Sequence, residues 1–288
     1  MRIALIGAHG QLGRGLTKLL EAERHWGELI PLTHPEIEVT DLVGARRALE
    51  GSAPDLVVNT AAYHRVDLCE DEAEMALRVN AYGVRNLALI CREREIPLVH
   101  YSTDYVFDGE KRTPYTEADP PHPLSAYGIS KLTGELFIRY LTPRHFIIRT
   151  CGLYGVGGAT SKAGNFVETM LRLGTQGKPL RVVADQIVTP TYVMDLARKT
   201  VELIQTRHYG LYHITNHGQC SWYQFAQAIF RQAGVQADLH PTTAREFGAR
   251  ARRPAYSVLK NGQLERWGMD DLRDWQEALA AYLKERKG

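Results

Sequence analysis

Two short patterns carry side chains able to move protons. In Tyr127-Gly128-Ile129-Ser130-Lys131 a phenol and an ammonium stand four positions apart, at the start of a segment with Leu132, Leu136 and Ile138 at helical spacing. Residues four apart share a helix face, so Lys131 can sit near Tyr127 and favour its ionised form, which makes the tyrosine a usable acid or base near neutral pH. The second pattern, Tyr101-Ser102-Thr103-Asp104-Tyr105, closes an apolar run with hydroxyls and a carboxylate. The same Tyr-x-x-x-Lys spacing recurs at Tyr256 and Lys260. Only Tyr127 follows an expected parallel strand whose end carries hydroxyls, where open α/β sheets bind ligands, so Tyr256 and Lys260 take a structural reading.

A third pattern concerns phosphate. Gly7, Gly10 and Gly13 stand at G-x-x-G-x-x-G spacing between a first apolar run and a helical segment containing Leu16, Leu19 and Leu20. Small residues let the backbone approach a pyrophosphate, and the N–H groups and positive dipole end of the following helix favour its charge; an ordinary glycine turn is the alternative. The acid that binds adenosine ribose hydroxyls in NAD sites is expected roughly 20 residues past the glycines. Thr33-His34-Pro35 stands there instead, with Glu36 and Glu38 beyond the strand end, so NAD and NADP both stay open. Asp41, after a candidate strand at 37–39, could face the adenine or cap the next helix. Asn59-Thr60-Ala61-Ala62-Tyr63 ends another strand with small residues, suited to a cofactor or to packing alone, and Asn80 is a polar residue on a buried stripe, suited to supporting the site or to bonding a neighbouring loop.

The elements that must position these residues follow from apolar periodicity. Runs at 2–6, 28–32, 55–58, 97–101 and 146–149 are apolar throughout, as in parallel strands buried on both faces, and helical segments separate most of them. The expected fold is α/β, a doubly wound parallel sheet. One long amphipathic helix is expected over 70–95, delivering the next strand beside the preceding one through a right-handed crossover. After Thr150 the texture changes: Gly152, Gly155, Gly157, Gly158 and Gly164 crowd a short interval. Helices at 165–173, 191–204, 221–233 and 274–284 and a strand at 211–214 follow, which suggests a smaller C-terminal domain.

Composition narrows the function classes. With 288 residues, 44% of them hydrophobic and 24% charged, the chain is globular rather than disordered. Its 35 Lys and Arg against 33 Asp and Glu, a net charge of +2, argue against a nucleic-acid partner. No apolar run is long enough to span a bilayer or to serve as a signal peptide, so the expected location is cytoplasmic. Cys69, Cys91, Cys151 and Cys220 lie far apart and read as reduced thiols, and the histidines show no zinc spacing.

As a set, the glycine loop, Asn59-Thr60-Ala61-Ala62, the stretch Tyr101-Ser102-Thr103-Asp104-Tyr105-Val106-Phe107-Asp108-Gly109 and Tyr127-x-x-x-Lys131 resemble the extended short-chain dehydrogenase/reductase superfamily. Within it the chain is most similar to the dTDP-4-dehydrorhamnose reductase family, through Arg149-Thr150, Leu153-Tyr154-Gly155, Asn165-Phe166, Asp185-Gln186, Pro190-Thr191, Trp222-Tyr223 and Arg252-Arg253-Pro254 before Ser257. The resemblance implies a Rossmann domain over 1–150, completed by segments within 181–216, and a sugar-nucleotide substrate domain over 151–180 and 217–288. It implies NADP or NAD as reduced hydride donor and a dTDP-4-keto-6-deoxyhexose as substrate, reduced at C4 to give dTDP-L-rhamnose.

Tyr127 would then donate the proton, Lys131 would hold the nicotinamide ribose and lower the tyrosine pKa, and Thr103 would hydrogen-bond the substrate oxygen, with Asp104 against the sugar. Gly7, Gly10, Gln11, Leu12 and Gly13 would line the pyrophosphate, Asp41 and Leu42 the adenine side, and Ala61, Ala62 and Tyr63 the centre of the cofactor. The resemblance is compatible with a homodimer and with magnesium binding, for which no ligands can be named here. One departure stands out: where the family places an aromatic residue after Arg149-Thr150, this chain has Cys151-Gly152. A dehydratase is disfavoured because Tyr105 occupies its glutamate position; an epimerase, and a non-catalytic regulatory subunit resembling that of methionine adenosyltransferase, are the competing readings.

Overall fold

The computed structural model describes residues 1–156 and 164–286, so Gly157 and Gly158 of the glycine-rich interval lie outside the described residues. The first part of the chain alternates strand and helix: β1 (Arg2–Ile6), α1 (Gln11–Ala22), β2 (Glu28–Leu32), α2 (Leu42–Ser52), β3 (Leu56–Asn59), α3 (Ala73–Leu77), α4 (Val84–Glu93), β4 (Leu98–Thr103), α5 (Ala126–Leu141) and β5 (His145–Thr150). The second part carries β6 (Leu153–Tyr154), α6 (Phe166–Gly174), β7 (Leu180–Val183), β8 (Ile187–Val188), β9 (Thr191–Tyr192), α7 (Val193–Ile204) and β10 (Gly210–His213). It ends with β11 (Cys220–Ser221), α8 (Trp222–Ala233), β12 (Leu239–Thr242), α9 (Ala244–Phe247), α10 (Gly262–Arg266) and α11 (Trp275–Glu285).

Six strands form one parallel sheet in the order β10-β5-β4-β3-β1-β2. The chain leaves β1 to one side for β2 and returns on the other as β3, so the strand order reverses between β1 and β3, where doubly wound sheets open a ligand crevice. Strand residues alternate between two cores because successive side chains point to opposite faces. Ile3, Leu5, Leu56, Val58, Phe146 and Ile148 pack with Leu16 and Leu20 of α1 and Leu196 and Val201 of α7. Ala4, Ile6, Val57, Leu98 and Ile147 pack with Leu49 of α2, Leu87 of α4 and Ile138 of α5. Both faces are covered, which is why the strands are mostly apolar on both sides. A third core, rich in aromatic rings, joins Tyr154, Tyr192, Phe225, Trp275 and Tyr282 in the second part of the chain.

Two expectations change. The helix expected over 70–95 is broken: α3 and α4 are separated by a π-helical stretch, Arg78–Gly83, preceded by a short 3-10 turn, Leu68–Glu70. Such wide turns absorb an extra residue in an otherwise regular helix and are frequent at functional sites. The strand expected at 37–39 is absent, because the Glu36 and Ile37 amides both donate to the Thr33 carbonyl and the Asp41 amide donates to that of Glu38, which makes successive turns. Ile37 and Val39 supply core contacts from these turns.

Candidate active site

The carboxyl ends of β1, β3, β4 and β5 open onto a cavity of about 1030 Å³, at the upper end of the range typical of small-molecule sites. Its wall on the β1 and β3 side is largely main chain. Gly7 has φ +80°, a conformation that disfavours any side chain, and a Cβ there would stand 2.9 Å from the Ala61 amide nitrogen. Gly13 lies so close to the loop that a Cβ would fall 2.2 Å from the Gly7 carbonyl oxygen. Gly10 is the residue before α1 and contributes no side-chain cap, so the first N–H groups of that helix are left for a ligand. Gly7, Gly10, Gln11 and Leu12 line the cavity, and the buried Gln11 Nε2 has no hydrogen-bond partner. Across from them stand Ala61, Ala62 and Tyr63.

Asn80 anchors this second loop. Its Oδ1 accepts from the Tyr63 amide at 2.8 Å, while its Nδ2 donates to the Tyr63 carbonyl at 2.9 Å and to Ser130 Oγ of α5 at 3.0 Å. The π-helical stretch therefore ties the Tyr63 loop to the helix bearing Tyr127. Asp41 is a helix cap: its Oδ1 accepts from the Val43 amide at 3.1 Å at the start of α2. Val39 and Thr40 line the cavity, and Asp41, Leu42 and Gly13 stand outside its lining. Glu36 is bound to the amide of Thr33 at 2.8 Å and to its hydroxyl, and Glu38 to the amide and hydroxyl of Thr40 at 2.9 and 2.8 Å. Both carboxylates bond their own loops, and Glu38 also lines the cavity.

The β4, β5 and α5 side of the cavity is built from side chains. Ser125 caps α5, accepting from the Gly128 amide at 3.2 Å, so Tyr127 falls in the first turn and Lys131 one turn on. Thr103, Asp104, Tyr127 and Lys131 all line the cavity. Lys131 is buried and its Nζ donates to the Tyr101 carbonyl at 2.6 Å. Burial depresses the lysine pKa to about 8, with the Glu135 carboxylate opposing. Burial raises the Tyr127 pKa, with the Asp104 charge adding and a hydrogen bond to Thr103 opposing. The expected drop in the Tyr127 pKa through Lys131 is thus reversed: desolvation outweighs it, the ammonium is engaged by a strand carbonyl, and the phenol keeps its proton at neutral pH.

Asp104 is buried, and burial raises its pKa against hydrogen bonds from Ser257, Cys151 and Thr103. Cys151 Sγ donates to Asp104 Oδ2 at 3.1 Å, and Thr103 Oγ1 to Asp104 Oδ1 at 3.1 Å. Gly152, with φ +55°, lines the cavity where the resemblance expects an aromatic ring; a Cβ there would stand 3.5 Å from the Trp222 ring. The Tyr105 ring meets that of Tyr127 edge-on at 5.9 Å. Tyr256 and Lys260 lie outside this constellation, the phenol bonded to Gln219 at 2.7 Å and the ammonium paired with Glu265 at 3.0 Å.

Behind the lining runs a buried ion pair that the motifs did not show. Arg149 Nε and Nη2 donate to Glu135 at 2.9 and 2.6 Å, and the Ser102 hydroxyl donates to the same carboxylate. Glu135 lies one turn past Lys131, so the pair pins α5 to β4 and β5 beneath Tyr127 and Lys131. Its sequence signal is an acid four positions after the lysine together with an arginine at a strand end. His100 was also missed, although a histidine inside the run Leu98-Val99-His100-Tyr101 is a polar residue where the pattern asks for an apolar one.

The donor set fits a dinucleotide. A glycine cradle that a Cβ would fill, free N–H groups at the start of α1, and the unpartnered Gln11 Nε2 and Thr150 Oγ1 are all present at the cavity wall. Among the described residues no group of three or more His, Cys, Asp or Glu side chains is arranged to hold a metal ion, and no helix is long and apolar enough to cross a membrane.

Comparison with known proteins agrees with this geometry. The profile of the RmlD substrate binding domain family matches residues 1–287. The spore coat polysaccharide biosynthesis protein SpsK of Bacillus subtilis is 42% identical over 99% of this chain and 98% of its own length. A crystal structure of a dTDP-4-dehydrorhamnose reductase from Clostridium acetobutylicum superposes with a TM-score of 0.95 at 41% identity, covering 100% of both chains. That of a dTDP-4-dehydrorhamnose reductase from Bacillus anthracis, in complex with NADP, superposes with a TM-score of 0.94 at 38% identity and covers 99% of each.

Proposed function

The chain belongs to the RmlD substrate binding domain family and is a nicotinamide-dependent oxidoreductase, and on that premise we propose that it reduces the C4 ketone of dTDP-4-dehydro-L-rhamnose to the alcohol, giving dTDP-L-rhamnose. The observation that carries this reading is the convergence of Thr103, Tyr127 and Lys131 on the same cavity as the glycine loop. A reduced nicotinamide dinucleotide, when bound, supplies the hydride. Gly7, Gly10, Gln11 and Leu12 hold its pyrophosphate, and Ala61, Ala62 and Tyr63 flank its centre.

Tyr127 performs the proton transfer. Burial keeps the phenol protonated, which is the form needed to deliver a proton as the ketone oxygen gains charge. The Thr103 hydroxyl, whose single proton goes to Asp104 Oδ1 in the structure, turns it to that oxygen when substrate binds, so that with Tyr127 it favours the developing alkoxide over the ketone. Lys131 holds the ribose beside Tyr127 and returns a proton to it. Asp104, held by the Cys151 thiol, accepts from a sugar hydroxyl. In this reading residues 1–150, with segments within 181–216, bind the cofactor, and 151–180 with 217–288 bind the sugar nucleotide; the entry of β10 into the main sheet and the separate aromatic core support that division.

NADPH is the preferred donor in this reading. The carboxylates nearest the end of β2, Glu36 and Glu38, are engaged by Thr33 and Thr40, and Arg78 lies close enough to act on Glu38 and lines the cavity. An arginine in that place suits a 2′-phosphate, and a relative binds NADP. The test is the fall in reduced-nicotinamide absorbance with NADPH and NADH separately, using enzymatically generated dTDP-4-keto-6-deoxy-L-lyxo-hexulose. Turnover with a lower KM for NADPH is expected; no turnover with either donor, while both still bind, overturns the proposed substrate.

A further inference from the structure

Lys131 is in contact with a buried chain of three groups whose hydrogen-bond directions can be read one from another. The Ala61 amide donates to Asn59 Oδ1 at 3.1 Å. A backbone N–H can only donate, so the carboxamide oxygen must face Ala61 and the Asn59 NH2 must face the other way. That NH2 meets His100 Nδ1 at 3.2 Å. Asn59 and His100 are paired across β3 and β4, and both are buried. The amide nitrogen is also a donor, so Nδ1 must accept, and a neutral ring then carries its proton on Nε2. His100 Nε2 faces Lys131 Nζ at 3.4 Å. An ammonium would present a donor to a donor there. An uncharged amine, in contrast, can accept from Nε2–H with its lone pair and still donate to the Tyr101 carbonyl.

We propose that His100 is a positioning residue that weakens the hold of Lys131 on its proton, because the Ala61 amide orients Asn59, Asn59 fixes the His100 proton on Nε2, and that N–H faces Nζ. The inference rests on the reading of Lys131 as part of the reductase site, and gives it a purpose: a lysine that both holds the ribose and returns a proton to Tyr127 must release one near neutral pH. Burial and the Lys131 charge hold the His100 pKa well below the usual imidazole range, so the ring is uncharged as the chain requires. Of the other titratable and charged groups, Tyr127 of α5 and Asp104 after β4 line the same cavity as Lys131, and Glu135, paired with Arg149 of β5, acts on it from one turn along α5. Glu135 strengthens the lysine's hold on its proton, opposite to the effect assigned to His100. Asn59 on β3 and Asn80 on the π-helical stretch are uncharged.

The test uses the full chain without substrate, so it does not depend on whether the proposed ketone is turned over. Nitrogen-15 histidine NMR at about pH 7, with the His100 signals assigned by their loss in His100→Gln, reads the position of the ring proton. Nitrogen-15 lysine NMR, assigned by loss in Lys131→Arg, reads the titration of Nζ. The proton is expected on Nε2 in the wild type. Asn59→Asp replaces the donor at Nδ1 by an acceptor, so the proton moves to Nδ1, Nε2 accepts from the ammonium, and the lysine titrates at least about one pH unit higher. The added carboxylate alone also raises it, so the same substitution is compared in a His100→Phe background. A smaller rise there supports the coupling, and an equal rise overturns it. A wild-type ring protonated on Nδ1, or on both nitrogens, overturns the proposal before any variant is made.

Discussion

Along the wall formed by residues 7–12 and 61–63 the cavity presents largely main chain, with glycine and alanine beside the side chains of His9, Gln11, Leu12 and Tyr63, and much of its capacity to bind lies in N–H groups and a helix start. Along the wall formed by β4, β5 and the first turns of α5 it presents Thr103, Asp104, Tyr127 and Lys131, backed by His100, Glu135 and Arg149 in a buried polar network. The first wall suits a ligand of fixed charge and extended shape, because backbone donors do not titrate. The second suits a reaction, because burial moves the pKa of Tyr127 up and of Lys131 down. The two walls should therefore fail in different ways when disturbed.

The largest effect is expected at the foundation of the second wall. Glu135→Gln leaves the Arg149 guanidinium buried without its counter-charge and should cost about 3–5 kcal/mol of stability by urea denaturation; a loss under about 1 kcal/mol would mean that the ion pair does not pin α5. Titration comes next. With Lys131 at about pKa 8, its charge is present below that pH and lost above it, so kcat/KM for reduction should be level near neutrality and fall about tenfold per pH unit on the alkaline side. A profile level to about pH 10 would detach Lys131 from turnover.

Gly10→Val attacks the first wall alone. A Cβ on Gly10 already approaches the Gly7 carbonyl to 3.2 Å, and the larger side chain should weaken NADPH binding by about tenfold or more while kcat at saturating cofactor stays within about threefold. Equal losses in both constants would merge the two walls into one unit. Smallest is Asp41→Ala, which removes a helix cap and should cost about 1 kcal/mol by thermal or chemical denaturation, with the NADPH dissociation constant unchanged. Weaker cofactor binding would add the adenine side to the role of Asp41 as a cap.

The same contrast governs how much could be read from sequence. Strands β1, β3, β4 and β5 announce themselves as short, mostly apolar runs because both their faces are buried, and the glycine loop is legible because a backbone site leaves its mark as missing side chains at fixed spacing. Tyr127 and Lys131 are legible because one helix turn relates them. What joins residues far apart in the chain is not. The ion pair from Glu135 to Arg149 and the link from Ala61 through Asn59 and His100 to Lys131 depend on strand register, which no local pattern fixes. Nor did periodicity reveal the π-helical stretch at Arg78–Gly83, since the stripe positions Leu77, Asn80, Val84 and Leu87 keep three- and four-residue spacing straight through it. The raised Tyr127 pKa ran against the local reading for a related reason: four-residue spacing places a lysine nearby but says nothing of the burial that raises the phenol's pKa or of the Asp104 charge beside it.

A second wall that reacts beside a first wall that binds should be separated cleanly by Tyr127→Phe. The substitution removes one hydroxyl from a side chain outside the glycine loop, so measurement of the NADPH dissociation constant and of kcat with the 4-keto sugar nucleotide separates the two roles. The account predicts unchanged NADPH affinity and a loss of about a hundredfold to ten-thousandfold in kcat, the range for a positioned general acid. Near wild-type kcat would contradict it, because another group would then have to deliver the proton.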